Sequence, residues 1–172
     1  MKNNLRIVIF IAASIIFYIL WSNGGESAYG KFVAKGVDKV TAKFSGIERA
    51  EFKIQEQDST PMIYCYYKDR RTKIALEYCL PVVLLLAWHL SLFFDKRINY
   101  KIALKLFSIN FFAVYLLQIF FPLLLFNISQ SKVKSMGLFI GLQIFGFLIF
   151  FLIIKDTLLI KYKYQLATKT KN

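Results

Sequence analysis

Four stretches of the chain are apolar at nearly every position: Leu5 to Trp21, Leu76 to Phe94, Ile102 to Ile128 and Met136 to Ile154. Each is close to the roughly 20 residues that a helix needs to cross a hydrocarbon core. The strands of a membrane barrel would alternate apolar and polar positions, and these stretches are apolar on every side, so the pattern predicts helices. Charged residues punctuate them: Arg6 near the start of the first, Asp95-Lys96-Arg97 after the second, and Lys155-Asp156 after the fourth. Pro81 falls near the start of the second, where a missing backbone N–H costs least, and Pro122 predicts a kink in the third. The first stretch runs through Phe17, Tyr18 and Trp21 into Ser-Asn-Gly-Gly without an Ala-x-Ala cleavage site, the pattern of a retained anchor rather than a signal peptide.

The segment between the first and second spans changes period twice. Tyr29, Phe32, Val33, Val37, Val40 and Phe44 follow helical spacing, with Lys31, Lys35, Lys39 and Lys43 in a row four residues apart. This predicts an amphipathic helix on the membrane surface, its lysines meeting anionic head groups or forming a solvated face. Gly30 and Gly36 lower its helix propensity. Beyond Ser45-Gly46, Ala50, Phe52 and Ile54 alternate with Glu51, Lys53 and Gln55, which predicts a half-buried strand. Polar breaks at Gln57–Pro61 and Lys68–Arg71 divide off Met62–Tyr67 and Thr72–Tyr78, so a small antiparallel meander follows. Such a meander needs the helix or the bilayer to pack against. The fold class is therefore mainly α, with four transmembrane helices and a small α+β segment. Its divisions are residues 1–22, the first span; 23–77, the helix and meander; 78–160, the remaining spans; and 161–172, a basic tail.

The chain has 172 residues, 57% of them hydrophobic, with 23 Lys+Arg against 10 Asp+Glu. That apolar content excludes intrinsic disorder. Membrane flanks account for the positive charge better than nucleic acid does. Positive residues by themselves divide almost evenly between the two sides, 11 against 12. The 22–77 segment, however, holds 8 of the acidic residues, and long segments translocate with little regard to charge. The expected orientation has both termini in the cytoplasm and the helix and meander outside, in a bacterial inner membrane.

Chemistry-bearing residues are few. His89, the sole histidine, lies within the second span, where an ionisable group is a functional candidate by default. No acidic residue falls in the central part of any span, so a structural hydrogen bond to a neighbouring helix is the simpler expectation. Cys65 and Cys79 are too few for a Cys-only zinc site, and they are either a disulfide pair or two free buried thiols. Gln118 and Gln143, with Asn110 and Ser108, are amides and a hydroxyl expected to bond across helices or to a partner. Gly137-Leu-Phe-Ile-Gly141 offers a small-residue face, and Asn127-Ile-Ser129 matches a glycosylation sequon. No phosphate loop, HExxH or GxSxG occurs. No catalytic residue, cofactor or metal is expected, and three readings follow: a partner-binding membrane protein, an oligomeric transporter or channel subunit lined by Gln118, Gln143 and His89, and an enzyme using His89 or the cysteines.

The order of an anchor, a short outer segment and a strand leading into Tyr78-Cys79-Leu80-Pro81 before an apolar helix resembles the small four-span membrane proteins that accompany exosortases in bacteria, in particular the exosortase H-associated type. The third span with Gln118 and the fourth with Gln143 are similar as well, and Cys79 stands where that family has glycine. The resemblance covers most of the chain and rests on a short motif. It implies a non-catalytic accessory of a protein-sorting transpeptidase, with Tyr78 and Pro81 among the contact-forming residues and membrane lipids and an exosortase as partners.

Overall fold

A computed structural model describes residues 2–44, 49–54, 61–67, 70–95, 98–126 and 131–169, with side chains over 5–40, 50–54, 61–66, 73–95, 98–122, 124 and 141–162. Helix α1 (Lys2–Leu20) and helix α2 (Glu26–Phe44) are joined by a widened turn, Trp21–Gly25. The break has a local cause. Ser22 Oγ donates to the carbonyl of Tyr18 at 3.1 Å and Asn23 Nδ2 to that of Ile19 at 2.7 Å, occupying carbonyls at the end of α1. Gly24 then turns the chain at φ 107°, a conformation that side chains disfavour.

Strands β1 (Arg49–Ile54), β2 (Pro61–Tyr67) and β3 (Arg70–Ala75) form an antiparallel sheet in sequence order. Ala50 pairs with Cys65 and Phe52 with Ile63, which in turn faces Ile74. The alternation therefore puts the small and aliphatic side chains on one face, where Ala50, Ile63, Cys65 and Ile74 are buried. That face lies on Val33, Ala34 and Val37 of α2, which share its core. The amphipathic helix thus buries Val33, Ala34 and Val37 in protein, against the sheet and α4, while Phe32 of its apolar side stays exposed. A three-stranded sheet needs such a cover, and each fully buried large aliphatic side chain contributes roughly 2 kcal/mol. Asp38 Oδ1 accepts from the Ala50 N–H at 3.0 Å and ties helix to strand. Lys31, Lys35 and Lys39 stay exposed.

After β3 comes one turn of 3-10 helix, Leu76–Cys79, and then α3 (Val82–Phe93), with Pro81 at its N-cap. Helix α4 (Tyr100–Phe126) continues past Pro122, and α5 runs unbroken from Ser131 to Lys169, carrying through most of the stretch expected to be a tail. Four segments are long and apolar enough to cross a membrane: one beginning at Leu5, then Leu76–Phe93, Tyr100–Pro122 and Gly141–Tyr162. Helix α3 is the central one. It packs against α1, α4 and α5, while α1, α4 and α5 expose large apolar side chains such as Ile11, Phe112, Phe147 and Phe151 outward. The sequon at Asn127 lies outside the described residues, as do the surroundings of Gly137 and the side chain of Lys43.

Three glycines read from sequence as helix breakers or small-residue faces are points of close approach. A Cβ on Gly30 would overlap Leu76 and the Phe52 ring, one on Gly36 would overlap Ile119 and Tyr115, and one on Gly141 would overlap the Phe121 ring. Gly30→Val should therefore lower stability by about 1–3 kcal/mol through overpacking, whereas Gly146→Ala, where a Cβ meets nothing within 4 Å, should be neutral or gain up to about 1 kcal/mol. Thermal unfolding in detergent micelles checks both, and a Gly30→Val chain as stable as its parent would contradict the seating of the sheet on α2.

Candidate functional site

The buried face of α4 carries Ala103, Asn110, Val114 and Gln118, spaced by seven, four and four residues. Two polar clusters form along it, about 12 Å apart by helical rise. In the first, Asn110 is the hub. Its Nδ2 donates to Asp156 Oδ2 at 2.8 Å and lies 3.2 Å from His89 Nε2, while its Oδ1 accepts from Lys155 Nζ at 2.7 Å. An amide nitrogen has two hydrogens and can serve both neighbours, which leaves His89 Nε2 as acceptor and places the ring proton on Nδ1. Lys155 Nζ also pairs with Asp156 Oδ1 at 3.2 Å, and His89 Nε2 stands 3.9 Å from Asp156 Oδ2. Asp156 is 0% exposed and His89 1%. The His89 ring meets Phe107 edge-on at 5.4 Å, and its Nδ1 is buried with no hydrogen-bond partner. Next to it, the Arg6 guanidinium lies over the Trp88 ring at 4.2 Å, joining α1 to α3.

His89 thus makes the hydrogen bond to a neighbouring helix that the sequence leads one to expect, and it has in addition an acidic neighbour, Asp156, that the sequence did not point to. Asp156 follows Lys155 and marks the end of an apolar run, which made it look like an interfacial charge. Helix α5 continues past it, and its spacing from the buried Phe145 and Ile149 puts it on the inward side. That seven-residue spacing from Ile149 was the available signal. Lys155 keeps its side chain 31% exposed, so its stem reaches from the cluster toward the surface.

In the second cluster Tyr29 of α2 donates its hydroxyl to Gln118 Oε1 at 2.6 Å, and Tyr78 donates to the backbone carbonyl of Gln118 at 3.3 Å. Gln118 Nε2 is buried without a hydrogen-bond partner. Tyr78 is fully buried between Phe121 and Phe145, with ring centroids at 4.9 and 5.7 Å. Gln118 thus bonds across helices as expected, whereas Gln143 and Ser108 point outward and are exposed. Gln118, Gln143 and His89, the three side chains of the channel reading, do not meet along one path within the chain. Gly141 meets Phe121 of α4, so this part of the small-residue face is used internally.

Cys65 and Cys79 belong to one core cluster and are both free, so no bridge links them. Burial pushes the Cys65 thiol up to about 12. Among the described residues no three His, Cys, Asp or Glu side chains are placed to hold a metal ion. No family model matches the chain, and neither a curated protein nor a solved structure does.

What the first cluster does chemically is neutralise a buried carboxylate and hold an imidazole next to it. Removing one member of a buried charged pair costs about 3–5 kcal/mol, against about 1–2 kcal/mol for a neutral interhelical hydrogen bond. Asp156→Leu and Asn110→Leu, the second of which strips Asp156 and Lys155 of their shared amide, should therefore each destabilise the bundle by more than about 2 kcal/mol in denaturant titrations in micelles, and a loss under about 1 kcal/mol for Asn110→Leu would contradict its place as the hub. Cys65 gives a pH prediction. The folded chain keeps this thiol neutral above its unfolded value near 9, so its contribution is intact below pH 9 and is lost as pH rises toward 12. Maleimide at pH 8 should label Cys65 only after unfolding, and prompt labelling of the folded chain would contradict its burial.

Proposed function

We propose that this chain is a non-catalytic multi-pass membrane protein that binds another membrane protein through the outward face of α5. Gln143 carries the reading. It lies about 10 Å inside the apolar stretch that begins at Met136 and is the third residue of the span Gly141–Tyr162, where it is exposed beside the exposed Ile144 and Phe147. It has no hydrogen-bond partner among the described residues. An amide facing hydrocarbon without a partner costs several kcal/mol, and a second membrane helix supplies what lipid does not. The surrounding bundle supports the same reading, because its two buried amides, Asn110 and Gln118, each bond to side chains of other helices. The resemblance around Tyr78-Cys79-Leu80-Pro81 names an exosortase as the partner in a bacterial inner membrane, and the distribution of charge favours both termini in the cytoplasm and the sheet outside.

Co-purification in mild detergent tests this. A tagged chain should retain a membrane partner, and Gln143→Leu should weaken retention roughly three- to twenty-fold, the worth of one interhelical hydrogen bond. A chain always recovered alone, or a Gln143→Leu chain that holds its partner as firmly as the parent, would sink the proposal.

A further inference from the structure

Between α1, α2, α3 and α4 lies an apolar furrow of about 480 Å³. Phe17 of α1, Trp21 of the turn that follows it, Leu86 of α3, Phe107 of α4, and Ala28 and Phe32 of α2 form its walls. Its wall residues span about one helical turn on each of α1, α3 and α4, the depth taken by the upper part of a lipid tail. In a bilayer such a space does not stay empty, since a hydrocarbon chain enters without leaving water and gains dispersion contacts with the walls. What marks the occupant is charge at the rim. Ala28, Phe32, Lys35 and Lys39 follow one another at spacings of four, three and four, so the wall of the furrow continues along α2 into two exposed lysines. Asp38, which lies between the two lysines in sequence, is turned to the sheet, where it accepts from the Ala50 N–H. Tyr29, the polar residue of the lining, has its hydroxyl occupied by Gln118.

We infer that the furrow binds one acidic phospholipid, with an acyl chain against Trp21, Leu86 and Phe107 and its phosphate at Lys35 and Lys39. This lipid site is separate from the outer face of α5 and stands whether or not a partner binds Gln143.

Trp21 reports on it directly. The chain has two tryptophans, and Trp88 packs instead with Phe10 and Arg6. A full-length Trp88→Phe chain is reconstituted in phosphatidylcholine vesicles, and its fluorescence is titrated with brominated phosphatidylglycerol or brominated phosphatidylcholine. Quenching should saturate at a low mole fraction of the acidic lipid and rise only gradually with the zwitterionic one. Lys35→Glu/Lys39→Glu should reduce the preference by roughly thirty-fold or more, since loss of the two lysines at an anionic surface is itself worth about that factor. Native mass spectrometry of the unsubstituted chain with both lipids in competition gives a second reading, in which one phosphatidylglycerol should be retained. Equal quenching by the two lipids, quenching by neither, as when a protein segment fills the furrow, or a preference that survives the charge reversal would each overturn the inference.

Discussion

The single turn of 3-10 helix at Leu76–Cys79 is the join on which this architecture depends. It passes from β3 into α3, and it is wedged against α2, α5 and the sheet. Tyr78 fills the centre of the wedge, its ring held by Phe121 and Phe145 and its hydroxyl by the Gln118 carbonyl. Leu76 reaches the other way and fills the space over Gly30. Because these side chains belong at once to the bundle and to the sheet-bearing unit, the two share one continuous core rather than a linker. A flexible connection would leave the sheet's apolar face dependent on α2 alone.

Polar residues serve the bundle in the same way. Helices in hydrocarbon gain nothing from burying apolar surface against one another, so their arrangement is set by close packing and by groups that need partners. Asn110 gathers His89, Lys155 and Asp156 from two other helices, while Gln118 gathers Tyr29 and Tyr78. Each amide sits on the buried face of α4. The spacing between them divides the bundle into one end that neutralises charge and another that receives the sheet-bearing segment. Gln143 is the exception, an amide of the same kind turned away from the bundle.

Sequence reading located the four apolar helices from runs of about 20 apolar residues, and the amphipathic helix and the three strands from a local period of 3.6 or 2 residues, all of which the chain carries by itself. Even the strand register follows from alternation, since sliding by one residue would expose Ile63 and Ile74. The candidate site was legible only in part. His89, Asn110 and Gln118 stood out as polar residues within apolar runs, whereas Asp156 did not, because it sits where a run ends and resembles an ordinary flanking charge. Gly30 and Gly36 were read through helix propensity, and what they do depends on Leu76 and Ile119, which no local rule brings near them.

The sequence on its own determined how many helices there are, which of them are long and apolar enough to cross a membrane, and that a small sheet lies between the first two. Those properties are sums or periods over neighbouring residues. Tertiary structure alone decided that α2 covers the sheet, that Asp156 meets His89, that the two cysteines share a core without a bridge, and that Gln118 faces inward while Gln143 faces out. The physical reason is rotation and contact. An apolar helix that is hydrophobic on every side carries little in its own pattern to say which face turns inward, and only the neighbours that satisfy a buried amide or admit a close approach select one.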